Sequence, residues 1–216
     1  MRYNTVIFDL DGTLLDTLSD LAAAANHALA AHNLPARTVD EVRRFVGNGI
    51  GLLIKRAVPA GSSPELTEAV HRSFTEYYKA HCADTTAPYP GIMELLQKLR
   101  SAGCRTAIVS NKADYAVQEL AQNYFDGLLD AACGERAGIA RKPAPDMVQA
   151  VMDMLQADAD STVYIGDSDV DIETARSAGL PCISITWGFR SRDFLQKHGA
   201  SAFAADAGEL AAILLR

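Results

Sequence analysis

One apolar, β-branched run, Tyr3 to Phe8, is followed by four helical patterns in succession. The next strand pattern comes at Arg105, and from there strands and helices alternate to the end of the chain. This order constrains the fold more than any single motif. Strand–helix alternation implies a parallel sheet covered by helices on both faces. A purely helical block has no place inside such a sheet, so it must be an insert after the first strand. The expected architecture is therefore α/β: a doubly wound, Rossmann-like parallel sheet as core (residues 1–14 and 84–216) with a small all-helical cap domain (residues 15–83) inserted into it.

Inside the insert, Leu18, Leu21, Ala25 and Leu29 share one helical face. Thr38 and Glu41 have the spacing of a capping box. Gly47-Asn48-Gly49 breaks the chain, and Pro64 suits the first position of a long helix through Leu66, Val70, Phe74 and Tyr78. Asp16 and Asp20 read as a helix cap and a surface charge. Beyond Pro88-Tyr89-Pro90-Gly91 the expected order is a helix from Ile92, a strand over Arg105 to Val109, a helix from Ala113, and a strand near Leu128 to Ala132. A helix with Met147, Met152 and Met154 as core follows, then a strand over Thr162 to Ile165, a helix from Val170, a strand over Pro181 to Ile185 and a last helix from Ala207.

The formal net charge is −7, and no Lys/Arg cluster of the kind that tracks a phosphate backbone is present, so nucleic acid is not expected as a partner. The first apolar run is broken by Asp9 and Asp11 and is no signal peptide. Nothing approaches the ~20 apolar residues that span a bilayer. Cys82, Cys104, Cys133 and Cys182 form no CxxC motif. They read as reduced thiols, which suits the cytoplasm.

Ligands of such sheets bind beyond the carboxyl ends of the strands. Four chemically loaded stretches lie there or in loops beside them: Asp9-Leu10-Asp11-Gly12-Thr13, Ser110-Asn111-Lys112, Arg141-Lys142-Pro143 and Gly166-Asp167-Ser168-Asp169-Val170-Asp171. If the strands are neighbours, Asp9, Asp11, Asp167 and Asp171 converge, and like charges that close cannot all stay ionised alone. A hard divalent cation resolves this, and an oxygen-only set of donors suits Mg²⁺. Lys142 supplies a second positive charge for a phosphate. Gly12 lets backbone approach closely, so the N–H groups of the turn can take phosphate oxygens. Ser110 offers one more hydrogen bond.

These residues carry a resemblance. Asp9-Leu-Asp-Gly-Thr-Leu-Leu-Asp-Thr resembles the first motif of the haloacid dehalogenase-like superfamily; Ser110 matches the second motif, Lys142 the third, and Gly166-Asp167-Ser-Asp-Val-Asp171 the fourth, in that order over the whole chain. The helical insert resembles the small type 1 cap of that superfamily. The resemblance implies that Asp9 is a nucleophile forming an aspartyl phosphate and Asp11 a general acid/base. It also implies that Ser110 and Lys142 hold phosphoryl oxygens, with Asn111 and Gly12 beside them. Asp9, Asp167 and the main-chain carbonyl of Asp11 would bind Mg²⁺, with Asp171 orienting that shell. An acid two residues beyond the nucleophile points to a phosphate ester, because the dehalogenases of the superfamily place none there.

Val42-Arg-Arg-Phe-Val-Gly-Asn-Gly49 with Lys55-Arg-Ala, and Thr186-Trp-Gly-Phe189 beyond the fourth motif, are similar to phosphoglycolate phosphatases. The implied reaction is Mg²⁺-dependent hydrolysis of a small phosphorylated substrate, 2-phosphoglycolate, by a cytoplasmic monomer or homodimer. Arg44, Asn48, Lys55 and Arg56 are candidates for recognising the substrate. A sugar-phosphate mutase or a pyrophosphate or nucleotide phosphatase of the same superfamily would share all four motifs. A receiver-like switch phosphorylated on aspartate would share the acidic pocket and lysine but lack the long insert.

Overall fold

The computed structural model describes residues 3–216. The chain falls into two compact units, one made of the residues up to Leu15 with Pro88–Arg216, the other of Asp16–Ala87. Strand β1 (Thr5–Phe8) is followed by the two-residue β2 (Leu15–Asp16) and by helices α1 (Leu18–Ala31), α2 (Val39–Phe45), α3 (Ile50–Ala57) and α4 (Pro64–His81). After β3 (Ala87–Pro88) come α5 (Ile92–Ser101), β4 (Arg105–Ala113), α6 (Asp114–Phe125), β5 (Ala131–Glu135) and α7 (Asp146–Leu155). The chain ends with β6 (Thr162–Gly166), α8 (Asp169–Ser177), β7 (Cys182–Ile185), α9 (Arg192–Lys197), β8 (Phe203–Ala204) and α10 (Ala207–Leu214).

Six strands form one sheet in the order β5-β4-β1-β6-β7-β8, with every adjacent pair parallel. Side chains alternate between faces along a strand. Ile7, Ala107, Val109 and Tyr164 pack with Met147, Val148 and Val151 of α7 and Ala175 of α8. The alternate set, Val6, Phe8, Ile108, Val163 and Ile165, is equally buried, so both faces are covered as alternation requires. The first strand lies at the middle of the sheet, flanked by β4 and β6. All three strands that lead into the acidic and polar motifs are thus neighbours, and their carboxyl ends open at one place, where the strand order reverses.

In the helical unit the apolar stripes read from the sequence are buried, and the Thr38–Glu41 capping box forms. Asp20 differs from its reading as a surface charge. It is buried, and its carboxylate accepts hydrogen bonds from the backbone N–H and hydroxyl groups of Thr85 and Thr86 at 2.5–3.0 Å. A carboxylate in the first turn of α1 therefore ties down the chain that leaves α4. Burial raises its pKa, but these bonds outweigh burial and hold it below the ordinary carboxylate value.

Three further differences have local causes. The fifth strand begins at Ala131, three residues later than expected, because the Leu128 N–H closes the exit of α6 on Phe125 and the Asp130 N–H and carboxylate pair with Thr106. The short β8 and α9 carry too few residues for a period to show. Met154 is exposed rather than core, since it lies off the buried stripe Met147, Val148, Val151, Met152 and Leu155. All four cysteines are free thiols, and among the described residues no helix is long and apolar enough to cross a membrane.

Candidate active site

The site grows out of the strand ends. The fourth strand does not stop at Val109 as its apolar run suggests. It continues through Ala113, with a register shift against β5 between Val109 and Ala113, and Ser110, Asn111 and Lys112 are all buried. Ser110 Oγ accepts from the Lys112 N–H at 3.3 Å. Asn111 Nδ2 donates to the Lys142 carbonyl at 3.0 Å and ties this strand to the loop before α7.

Around Asp9 three carboxylates gather. One oxygen from each of Asp9, Asp167 and Asp171 lies within 4.8 Å of the others, and all three residues are buried. Lys142 reaches into the group, with Nζ 2.9 Å from Asp9 Oδ1, 2.8 Å from Asp171 Oδ1 and 3.1 Å from the Tyr164 hydroxyl. The Asp171 carboxylate also accepts from the N–H and hydroxyl of Ser168, which caps α8, and lies 3.2 Å from the Tyr164 hydroxyl. Asp167 is held by neutral donors: the Phe189 N–H at 2.6 Å and the Thr13 hydroxyl at 3.4 Å. Asp11 pairs with Lys112, Nζ to Oδ1 2.8 Å.

Two glycines make room for Asp167. A Cβ on Gly12, whose φ is +85°, would sit 2.5 Å from Asp167 Oδ2, and one on Gly188 would sit 2.4 Å from Asp167 Cβ. The Gly12 N–H, expected among the groups for phosphate oxygens, is donated to Leu15 O at 2.9 Å. The indole N–H of Trp187 bonds Thr13 O at 3.0 Å and holds the turn.

Electrostatics follow from burial. Burial, then the charge of Asp171, raise the Asp9 carboxyl to about 7 against the opposing pull of Lys142. Burial, then Asp171 and Asp9, push Asp167 well above its ordinary value. Burial opposes the charge on Lys142, but Asp171 and Asp9 outweigh it and hold the ammonium form firmly. Four carboxylates against two ammoniums leave two negative charges, and the donors at the Asp9–Asp167–Asp171 cluster are oxygens. The residues present thus fit a hard divalent cation in both charge and donor type.

The sequence reading therefore picked residues that the fold brings together: Asp9, Asp11, Ser110, Asn111, Lys142, Asp167 and Asp171. Arg44, Asn48, Lys55 and Arg56 lie in the helical unit. Arg44, Lys55 and Arg56 are exposed, and the Arg56 guanidinium is engaged with Phe45 O at 2.9 Å. Lys112, Thr13 and Phe189 lie in stretches that the sequence reading singled out without giving those residues a role, and Tyr164 was not singled out at all. Lys112 had a signal, a third polar residue in a row at a strand end. Tyr164 had none, since one hydroxyl in an apolar strand looks like core.

The model of the family described as haloacid dehalogenase-like hydrolase matches residues 6–185. A phosphoglycolate phosphatase of Mesorhizobium japonicum is 36% identical over 98% of this chain and 96% of its own. One of Cereibacter sphaeroides is 36% identical over 86% of each. A solved structure from Lactobacillus delbrueckii subsp. bulgaricus superposes with a TM-score of 0.95 at 38% identity, covering 99% of both chains. CbbY from Rhodobacter sphaeroides, solved in complex with phosphate, superposes with a TM-score of 0.79 at 27% identity over 96% of both chains.

Proposed function

The chain belongs to the haloacid dehalogenase-like hydrolases, and on that premise we propose that it hydrolyses a small phosphate monoester, 2-phosphoglycolate foremost, to the alcohol and inorganic phosphate. The observation that carries the reading is the buried Asp9 carboxylate, 2.9 Å from Lys142 and within a cluster of carboxylates at the mouth of the central strand.

A carboxylate oxygen of Asp9 attacks phosphorus as the ester P–O bond breaks, which gives an aspartyl phosphate. Asp11 gives its proton to the leaving alkoxide and then takes one from the water that attacks the acyl phosphate, so that phosphate leaves and Asp9 is restored. Lys142 aims Asp9 and favours its ionised form against burial, because its ammonium sits on that oxygen and is itself fixed by Asp171 and Tyr164. Ser110, buried beside the nucleophile, is the hydroxyl for a phosphoryl oxygen. Asp9, Asp167 and the Asp11 carbonyl would hold Mg²⁺, with Asp171 steadying the shell. When bound, Mg²⁺ supplies positive charge for the phosphoryl oxygens. Arg44 and Lys55 are the exposed cations of the helical unit proposed for the substrate carboxylate; Arg56 is already engaged. The same proposal places the enzyme, with its four free thiols, in a reducing cytoplasm.

The test is a phosphate-release screen over small monoesters, with Mg²⁺ and with excess chelator, on the wild type and Asp9→Asn. Phosphoglycolate as preferred substrate, loss of activity on chelation and an inactive Asp9→Asn are the expected results. Full activity in chelator removes the metal assignment. Turnover of hexose phosphates that requires a bisphosphate activator replaces the phosphatase with a mutase.

A further inference from the structure

Each member of the Asp9-x-Asp11 pair has a lysine of its own. The Lys142 ammonium has three hydrogens and three acceptors close by: Asp9 Oδ1, Asp171 Oδ1 and the Tyr164 hydroxyl. Its ion pairs are with Asp9 and Asp171. Lys112, from a different strand end, sits 2.8 Å from Asp11 Oδ1, with its side chain 2% exposed against 14% for that of Asp11. We infer that Lys112 is a positioning residue for Asp11, which holds the acid/base carboxylate in one rotamer and away from Asp9. The inference deepens the phosphatase reading and rests on it.

Three observations support this assignment. The first is the course of β4: past its apolar run it carries Ser110, Asn111 and Lys112, all buried, where its register against β5 shifts between Val109 and Ala113. The second is that the backbone carrying Lys112 is braced on both sides. Its N–H bonds Ser110 Oγ, and Asn111 bonds the carbonyl of Lys142. The third is chemical. Asp11 is the most exposed of the four carboxylates, and an aspartate at the end of a turn has several rotamers open to it. A proton donor must meet the leaving oxygen within hydrogen-bond reach. A buried ammonium fixed to the strand gives Asp11 that single orientation.

A positioning residue acts through its partner, and a double-mutant cycle reads that directly. With 2-phosphoglycolate and with p-nitrophenyl phosphate, kcat and KM are measured for the wild type, Lys112→Met, Asp11→Ala and the double variant. Thermal unfolding of each serves as the control for folding. In the wild-type background Lys112→Met is expected to lower kcat by about 10–100-fold, with KM changed by less than about 3-fold, since a misplacement of about 1 Å is enough for such a loss. In the Asp11→Ala background the same substitution should cost less than about 2-fold. Lys112→Arg, which keeps the charge, should recover most of kcat, and Lys112→Gln enters the cycle should the methionine variant fold poorly. An equal loss in both backgrounds overturns the inference, and so does a rise in KM as the main effect, which would make Lys112 a direct substrate contact. A wild-type protein that releases no phosphate from either ester instead refutes the phosphatase reading, so the two failures are distinct.

Discussion

Removal of the Lys142 ammonium tests the electrostatic core of the site. In Lys142→Met the stem volume is roughly kept and the charge is lost. The ammonium lies 2.9 Å from Asp9 and 2.8 Å from Asp171. At an effective dielectric of ~20 each contact is worth about 6 kcal/mol of gross attraction. Most of that is offset by the desolvation of three buried charges and by repulsion between the two aspartates. The variant loses the attraction and keeps both burdens, and the net loss for a broken buried pair is about 3–5 kcal/mol. The loss must depend on pH. Burial already lifts the Asp9 carboxyl to about 7 with Lys142 in place, and without the cation it goes higher. A carboxyl whose folded value lies above its unfolded value near ~3.9 binds its proton more tightly in the folded state, so its contribution to stability falls as pH rises between the two values. Denaturant unfolding of metal-free protein should therefore show a wild-type–variant gap of about 3–5 kcal/mol at about pH 8 and a smaller one at about pH 5, where Asp9 carries a proton. A gap below about 1 kcal/mol at the higher pH, or one that widens on acidification, would falsify the claim that Lys142 is there to compensate buried carboxylates.

Two other perturbations probe the supports. Asp20→Asn places an amide where Thr85 and Thr86 both donate, and leaves at least one buried donor unsatisfied. A loss of about 1–3 kcal/mol at neutral pH is expected in urea unfolding. Because the Asp20 carboxyl is held below its ordinary value, its contribution is fully present above about 4 and disappears as pH falls through the folded value, so the wild-type advantage should shrink in acid; a constant difference down to about pH 2 would count against the hydrogen-bonded carboxylate. Gly188→Ala puts a methyl 2.4 Å from Asp167 Cβ and 2.5 Å from Gly12 O. Displacement of Asp167 should weaken Mg²⁺ binding, read by calorimetry, by about 10-fold or more, as happens when the support of a metal ligand is removed; unchanged affinity would show that the loop yields without moving the carboxylate.

The fold was legible because its order is carried by long, strongly periodic segments. The α/β alternation after Arg105 and the four helical stripes before it depend on many residues each, and no single error moves them. Residues of the candidate site were legible where the backbone announces them: Asp9 and Asp11 interrupt an apolar run, and Asp167 and Asp171 follow one. Lys112 and Tyr164 were not, for opposite reasons. Lys112 lies where the register of β4 shifts, so alternation along the strand does not indicate which way it points. Tyr164 obeys the alternation and packs like any core residue, and its one polar atom meets Lys142 and Asp171 only because α8 and the Lys142 loop converge on it. Asp20 was misread because its partners, Thr85 and Thr86, are 65 and 66 residues away.

The distribution of the cations also says where the excess negative charge must rest. Asp11 has Lys112; Asp9 and Asp171 share Lys142. Asp167 is left with neutral donors, and the charge of Arg190 only partly offsets its burial, which is why its carboxyl is driven far upward. A buried carboxylate in that condition either keeps a proton or waits for a cation. Protonation would make Asp167 a hydrogen-bond donor, yet the nearest groups aimed at it, the Phe189 N–H and the Thr13 hydroxyl, are placed to donate to it. The surroundings are thus built for the anion. On the proposed function, the charge that completes them is that of Mg²⁺, held between Asp167 and Asp9. The glycines at 12 and 188 keep the backbone close around that position, with no side chain of their own to fill it.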